Sequence, residues 1–459
     1  MMSLFKKIAR TLVLSNAGLL LIGPVAHVAT AAETMTDSPT APAAVSTEPQ
    51  EWALNGQLTN ITQKHADFNA PYSGAQSLLP HGPTEETTDI TLMLGKRLWN
   101  GAELWATSEL DQGFGFGNTL GLAGFSNGGA YKVGENTPYL RFPKLFLRQV
   151  IDLSAASSAV AAGPTQLAGN YAANNLTFTI GKFSVTDIFD TNSYAHDPRA
   201  DFLNWTVIDA GSYDYAADPW GYTWGAALEW TQDWWTLRGG FFQLSPKPNG
   251  KLVRINFGEN SGNLELEARH DWAGHPGKIK LLAWINEGKM ASYNDALLFA
   301  EQTNAIPALA PVRRYSCRPG IVLNMEQELS ADVGVFARAS ANRPDRETYE
   351  FTDINQSLSA GLMIQGDSWS RHDDGIGMAV VENRLSGPAR NYFAAGGMGV
   401  LIGDGALNYA SEKIMEIFYS LCLVPGTAVS ADYQHISNPA YNQDRGPVSI
   451  YGLRLHVNF

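Results

Sequence analysis

The stretch YGLRLHVNF, residues 451–459, decides how the rest of the sequence is read. Counting back from Phe459, the residues Val457, Leu455, Leu453 and Tyr451 are apolar, whereas Asn458, His456 and Arg454 between them are polar or charged. This period of two describes a strand with one apolar and one polar face. A half-buried strand of a water-soluble sandwich carries the same pattern, so the choice between water and lipid outside has to come from elsewhere in the chain.

The other end supplies the first argument. MMSLFKKIARTLVLSNAGLLLIGPVAHVATAAET opens with Lys6, Lys7 and Arg10, continues with an apolar stretch to about Gly23, and reaches the small-x-small site Ala29-Thr30-Ala31. That is the grammar of a secretory signal over residues 1–31. Its apolar run is too short for a spanning helix and is interrupted by Asn16 and Gly18. The expected location is the outer membrane of a Gram-negative cell. Residues 32–51, rich in Pro, Thr, Ser and Ala, read as a flexible periplasmic lead-in, and residues 52–459 as one domain.

Composition narrows the class. The chain has 45 acidic and 32 basic residues, for a formal charge of −13. Loss of the signal's three basic residues takes this to −16, which disfavours nucleic acid as a partner. After the signal no apolar run approaches the ~18 residues a spanning helix needs, so a membrane-embedded form must be a β-barrel. Forty-four Gly and 49 aromatic residues suit many strands, frequent turns and aromatic girdles. Cys317 and Cys422 imply no disulfide framework.

Internal strands repeat the terminal pattern. In DITLMLGKRLW the apolar set is Ile90, Leu92, Leu94 and Leu98; in AELWATSELD it is Leu104, Ala106 and Leu110. Keeping one face outward predicts a three-residue turn at Trp99-Asn100-Gly101, with Gly101 left-handed and Arg97 opposite Glu103. The run from Tyr222 to Trp230 pairs with that from Trp235 to Phe241 through an even turn predicted at Gln232-Asp233, placing Glu229 and Arg238 on the polar face. In LELEARHDW, Glu265, Glu267, Arg269 and Asp271 share a side. Charges that recur opposite the apolar face favour a water-filled interior over a soluble sandwich. Long connectors, the Gly-rich 114–141 and the segment 185–221, fall opposite tight turns, and the Gly-rich one is expected to fold in and narrow the lumen. At about 25 residues per strand and loop, the fold class is an all-β, transmembrane antiparallel barrel of about 16 strands.

Six ordered stretches carry a family resemblance: FNAPYSGAQSLLP (68–80), LGKRLWNGAELW (94–105), AHDPRADFLNW (195–205), DYAADPWGYTWGAALEW (214–230), YFAAGGMGVLIGDGALNY (392–409) and NPAYNQDRGPVSIYGLRLHVNF (438–459). Together they resemble the carbohydrate-selective porin (OprB-like) family. The resemblance implies passive diffusion of glucose and related sugars through an outer-membrane barrel. It also implies contact with outer-membrane lipid and lipopolysaccharide, and a terminal Phe459 read by the barrel-assembly machinery.

Sugars carry hydroxyls around their rims and apolar ring faces, so a selective constriction needs Arg forks beside carboxylates and an aromatic surface. Candidates are Arg97, Glu103, Trp105, Glu109, Arg148, Glu229, Arg238 and Arg269 on strands, with Asp197, Arg199 and Asp201 from the second long loop. Trp105 is the expected aromatic slide. For each charged residue the competing reading is a wall-stiffening ion pair. No cofactor and no metal are expected, since no HExxH, EF-hand or paired-Cys spacing occurs, although an ion in the acidic stretch 368–374 stays open. A general or anion-preferring porin is the near alternative. A barrel hydrolase using His196-Asp197 or Ser370-Arg371-His372-Asp373 is the distant one, because neighbouring residues on a strand point to opposite faces.

Overall fold

The computed structural model describes residues 49–459 apart from 131–133, 219–220 and 253; the expected signal, and the lead-in up to residue 48, lie outside the described residues. From the N-terminal side come β1 (Trp52–His65), β2 (Glu85–Trp99), β3 (Ala102–Phe114) and β4 (Gly134–Asp152), then a short pair, β5 (Ser157–Val160) and β6 (Gly169–Ala172). The chain continues through β7 (Asn175–Phe183), β8 (Thr223–Gln232), β9 (Trp235–Gln243), β10 (Asn260–Trp272), β11 (His275–Met290) and β12 (Arg314–Ser330). It closes with β13 (Val333–Asn342), β14 (Gln356–Gln365), β15 (Gly375–Arg384), β16 (Glu412–Val424), β17 (Thr427–Ser437) and β18 (Val448–Asn458). All but β5 and β6 form one closed barrel of sixteen strands, each antiparallel to its neighbours, in which β18 pairs with β1 and β4 with β7.

The period-two reading sets the faces. Leu264 and Leu266 point outward and are exposed, while Glu265 and Glu267 between them point inward and are buried. Large aromatics ring the end with the short turns, among them Trp99, Trp234 (62 % exposed) and Trp272 (67 % exposed), as an interfacial girdle requires. None of the described helices is long and apolar enough to cross a membrane. At the seam, Phe459 exchanges backbone hydrogen bonds with Gly56 of β1 (2.7 and 2.9 Å), extending the β1–β18 ladder to the final residue.

Two turns differ from expectation. Trp99 pairs directly with Ala102, so the first turn is Asn100-Gly101, and a bulge at Leu98 makes the parity correction assigned to the turn. Gly101 does adopt the left-handed conformation (φ 76°). In the second, Gln232 pairs with Trp235 and the turn is Asp233-Trp234; the even length stands, and Glu229 lies directly opposite Arg238. Cys317 and Cys422 are free thiols.

The interior is two-sided. The inner face of β13 to β18 carries an apolar patch that loop residues cover: Phe202, Val207 and Ile208 pack against Phe336, Val381, Ile414, Phe418 and Ile450. Phe202 meets Phe336 and Phe418 edge-on, with ring centroids at 5.6 and 5.0 Å. Inward charges occur on both sides: those of β13 to β18, among them Arg338, Glu412, Glu416 and Arg454, are spent on loop backbone, while the ion-paired clusters lie on β2 to β4 and β7 to β12. The Gly-rich loop after β3 also folds inward, its Ala123 and Gly124 N–H groups donating to Glu412 of β16 across the barrel (3.1 and 2.7 Å).

Candidate functional site

The segment 184–222 forms an inward loop whose irregular backbone needs partners once it leaves water. The wall supplies them. Arg338 of β13 bonds Asp190 (3.2 Å) and the carbonyls of Val207 (2.7 Å) and Ala195 (2.8 Å). Glu416 of β16 accepts the N–H groups of Leu203 (2.5 Å) and Asn204 (3.0 Å). Arg454 of β18 holds the carbonyls of Pro198 (2.8 Å), Ala200 (2.9 Å) and Asp201 (2.7 Å). Glu265 of β10 takes the Asp190 N–H (2.8 Å). Fixed from several directions, the loop presents Asp197 and Arg199 to the polar wall.

There the principal cluster forms. Arg199 bridges Asp89 of β2 (3.2 Å) and Glu109 of β3 (3.0 Å), with its own neighbour Asp197 at 3.6 Å. Arg141 of β4 binds the other oxygen of Glu109 (2.6 Å) and also Asp111. Lys144 pairs with Asp187 at 2.7 Å. Tyr222, at the end of the loop, lies beside this network, its ring centroid 5.5 Å from the Arg141 guanidinium carbon and 5.9 Å from Lys144 Nζ. Burial, reinforced by Glu109, pushes the Tyr222 hydroxyl up, so it stays a neutral donor. Burial opposes the Asp197 carboxylate, but Arg199 and its backbone N–H outweigh it and hold the group below the usual carboxylate range. The result is an eyelet of fixed Arg forks, carboxylates and one aromatic ring.

A family model described as carbohydrate-selective porin, OprB family, matches residues 75–459. The chain belongs to that family. Among solved structures, this OprB-family porin is similar to Pseudomonas putida OprB at high pH, with TM-score 0.67 and 14 % identity over 89 % of this chain and 94 % of that one. It is also similar to the outer membrane channel DcaP of Acinetobacter baumannii, with TM-score 0.49 and 10 % identity over 89 % and 97 % of the two chains. At 14 % identity the likeness to Pseudomonas putida OprB speaks to the fold. A comparison with curated proteins finds no match.

Of the residues singled out in the sequence of this porin, Glu109, Asp197 and Arg199 meet in the eyelet. Asp201 caps the loop instead, accepting the N–H groups of His196 and Asp197 (both 2.9 Å). A second group forms along β8 to β10: Arg238 binds Glu229 (2.8 Å), Glu265 (2.8 Å) and Glu267 (3.0 Å). Arg269 binds Glu267 (2.6 Å) but spends its Nη2 on the carbonyls of Gln232 and Trp235, stapling the adjacent turn.

A third group sits at the short-turn end. Glu103 is six residues from Glu109 on β3, roughly 20 Å along the strand at ~3.4 Å per residue, so the two belong to different levels of the lumen. Arg97 and Glu103 are register partners, yet their side chains meet through the Tyr171 hydroxyl (3.0 and 3.2 Å). The ion pair of Glu103 is with Arg148 (2.6 Å). Trp105 is 0 % exposed. Its indole N–H donates to Glu103 (3.0 Å), and its ring lies where a Cβ on Gly95 would fall (2.5 Å). It therefore presents no face to a passing sugar, and Tyr222 is the aromatic of the eyelet.

Asp89, Asp111, Arg141, Lys144 and Asp187 escaped the sequence reading, and Tyr222, which alternation groups with the apolar face of Trp224 to Trp230, instead precedes β8 and turns toward Arg141 and Lys144. Asp89 and Asp111 share parity with Arg97 and Glu109 and were within its reach. Arg141 was hidden by a bulge: β4 pairs Lys144 with Thr107 but Arg141 with Glu109, so the inward phase shifts from even to odd across Phe142-Pro143.

Proposed function

We propose that this porin is a passive, sugar-selective channel whose selective constriction is the Arg141–Arg199–Tyr222 eyelet. The observation that carries this reading is that a tightly anchored inward loop brings Arg199 and Tyr222 against Arg141 and the carboxylates of β2 and β3. A sugar crossing there exchanges water for side-chain donors and acceptors around its rim and slides its ring face past Tyr222. Glucose-like monosaccharides are the proposed cargo. Binding stays weak because the charged groups of the eyelet already have protein partners to return to.

The long-loop end faces outward and the short-turn end faces the periplasm, reached by export through the signal at 1–31 and insertion by the barrel-assembly machinery acting on Phe459. The lead-in 32–51 precedes the barrel there, and lipid and lipopolysaccharide cover the outer face. A preference for anions is not favoured: Asp89, Glu109, Asp111, Asp187 and Asp197 outnumber Arg141, Lys144 and Arg199. Sugar titration of single-channel current tests the reading, since glucose should block ion flow saturably and Arg199→Gln should weaken that block. Ion flow that glucose reduces only in proportion to solution viscosity would reduce the chain to a general porin.

A further inference from the structure

The connector between β4 and β7, residues 153–174, lies at the short-turn end, where the neighbouring turns are tight. Instead of projecting away, it folds under the barrel mouth. Asn55 of β1 donates to the carbonyl of Pro164 (3.0 Å), Arg97 of β2 to that of Ala168 (2.8 Å) and Arg148 of β4 to that of Thr165 (2.9 Å). Glu103 of β3 accepts the Leu167 N–H (3.3 Å) and the Tyr171 hydroxyl (3.2 Å), and Leu167 is fully buried. The connector is thus a strap reaching from β4 to β1, beneath the same wall that carries the eyelet.

Between the strap and β4, β7 and β8 lies a pocket of about 320 Å³, at the lower end of the roughly 300–1,000 Å³ typical of small-molecule sites. Its lining is mixed in the way a sugar ring is. Arg148 offers a guanidinium, Glu103 and Glu229 carboxylates, Thr177 and Ser158 hydroxyls, and Val150 and Val160 aliphatic surface. Arg148 makes its bonds to Glu103 and Thr165 through Nη2 alone. Glu229 engages Arg238 through Oε2. Each therefore keeps polar atoms for a ligand, and because Glu103 is already paired with Arg148 and Glu229 with Arg238, the pocket suits a neutral polyol better than an ion.

We propose that this pocket is a second carbohydrate site, in series with the eyelet and roofed by the strap, which takes a monosaccharide-sized neutral polyol on its way out. The proposal rests on the channel reading above but uses different residues. Two weak sites in series let a molecule leave one for the next without being held tightly at either.

Thiol protection tests it. In a Cys317→Ser/Cys422→Ser background, Thr177→Cys and Ser158→Cys place a thiol in the pocket, and Ser420→Cys places one on the opposite wall of the same mouth. Modification by a small charged methanethiosulfonate, which enters from the periplasmic mouth without passing the eyelet, is timed against added glucose. The rate at the two pocket positions should fall as 1 + [glucose]/Kd, about threefold at twice Kd, and the rate at Ser420→Cys should not change. Adding Arg199→Gln should leave the protection intact while weakening current block. Equal rates with and without glucose at both pocket positions, equal slowing at Ser420→Cys, or protection that vanishes with Arg199→Gln would each overturn the second site. Intact protection beside current block that Arg199→Gln leaves unchanged would instead support the pocket and refute the eyelet.

Discussion

Replacing Arg199 by Gln removes one positive charge from the eyelet while keeping a side chain of similar reach. In wild type, Arg199 and Arg141 face Asp89, Glu109, Asp111 and Asp197 within one ion-paired network, so the network becomes more acidic by one charge. A monovalent ion passing about 6 Å from that position exchanges roughly 0.7 kcal/mol with a unit charge at the dielectric of water. Screening over a Debye length of about 10 Å at 0.1 M salt reduces this to about 0.4 kcal/mol. Cations gain and anions lose that amount, so the cation-to-anion permeability ratio should rise by about 0.8 kcal/mol, or roughly fourfold. A lumen less polarizable than water would make the change larger. The assay is the zero-current potential of the channel in a planar bilayer under a KCl gradient, with Arg199→Lys as the control that restores charge without the guanidinium fork. An unchanged potential, or one displaced toward anions, would show that ions do not pass Arg199 and would refute the placement of the eyelet.

Other consequences follow from the same contacts. Trp105→Ala should cost about 3–5 kcal/mol, as for other buried large aromatics, and lower the temperature at which the folded band converts to the unfolded one on semi-native gels. It should leave sugar block in place, whereas Tyr222→Ala should weaken block with little change in that temperature. Arg338→Ala strands the buried Asp190 and frees the carbonyls of Val207 and Ala195, a loss of about 3–5 kcal/mol; the inward loop should loosen and unitary conductance rise. Burial and the adjacent Asp190 carboxylate push Asp209, in the inward loop, up to about 7, against the opposing pull of Arg338. Tyr215 donates to it (3.2 Å), and His196, kept largely neutral by burial and by Arg338, lies 3.9 Å away. Its folded-state pKa is raised, so the stabilisation is complete below the ordinary carboxylate range and is lost as pH rises through about 7. Wild type should therefore lose thermal stability between about pH 5 and about pH 8, and Asp209→Asn should lose less.

What could be read from the sequence was whatever depends on alternation. The closing strand, the outward leucines and the Glu229–Arg238 pair all follow from period two, whereas Glu109, Asp197 and Arg199 were singled out separately, with no sign in the sequence that the second loop brings them together. What could not be read was whatever alternation hides. The bulges at Leu98 and Phe142-Pro143 displace a turn and flip Arg141 inward. Trp105 stands on the inward face as expected, but parity says nothing about whether an inward side chain meets water or another part of the chain. The strap 153–174 is built largely from Ala, Ser and Gly, so its composition suggests a slack connector, and only Leu167 and Tyr171 hint that it has a place to bind. The inward apolar residues of β13 to β18, such as Phe336, Val381, Ile414, Phe418 and Ile450, were likewise legible residue by residue. Their meaning required knowing that Phe202, Val207 and Ile208 return to cover them.

The most direct test of the central claim is the current through single channels as glucose is titrated, with wild type, Arg199→Gln and Tyr222→Ala compared in one salt solution. Removing a charge-assisted hydrogen bond of about 1.5 kcal/mol should raise the half-blocking glucose concentration roughly tenfold in Arg199→Gln, and loss of the aromatic face should raise it in Tyr222→Ala as well. Saturable block that is equally strong in all three channels would contradict the claim that sugar binds between Arg141, Arg199 and Tyr222.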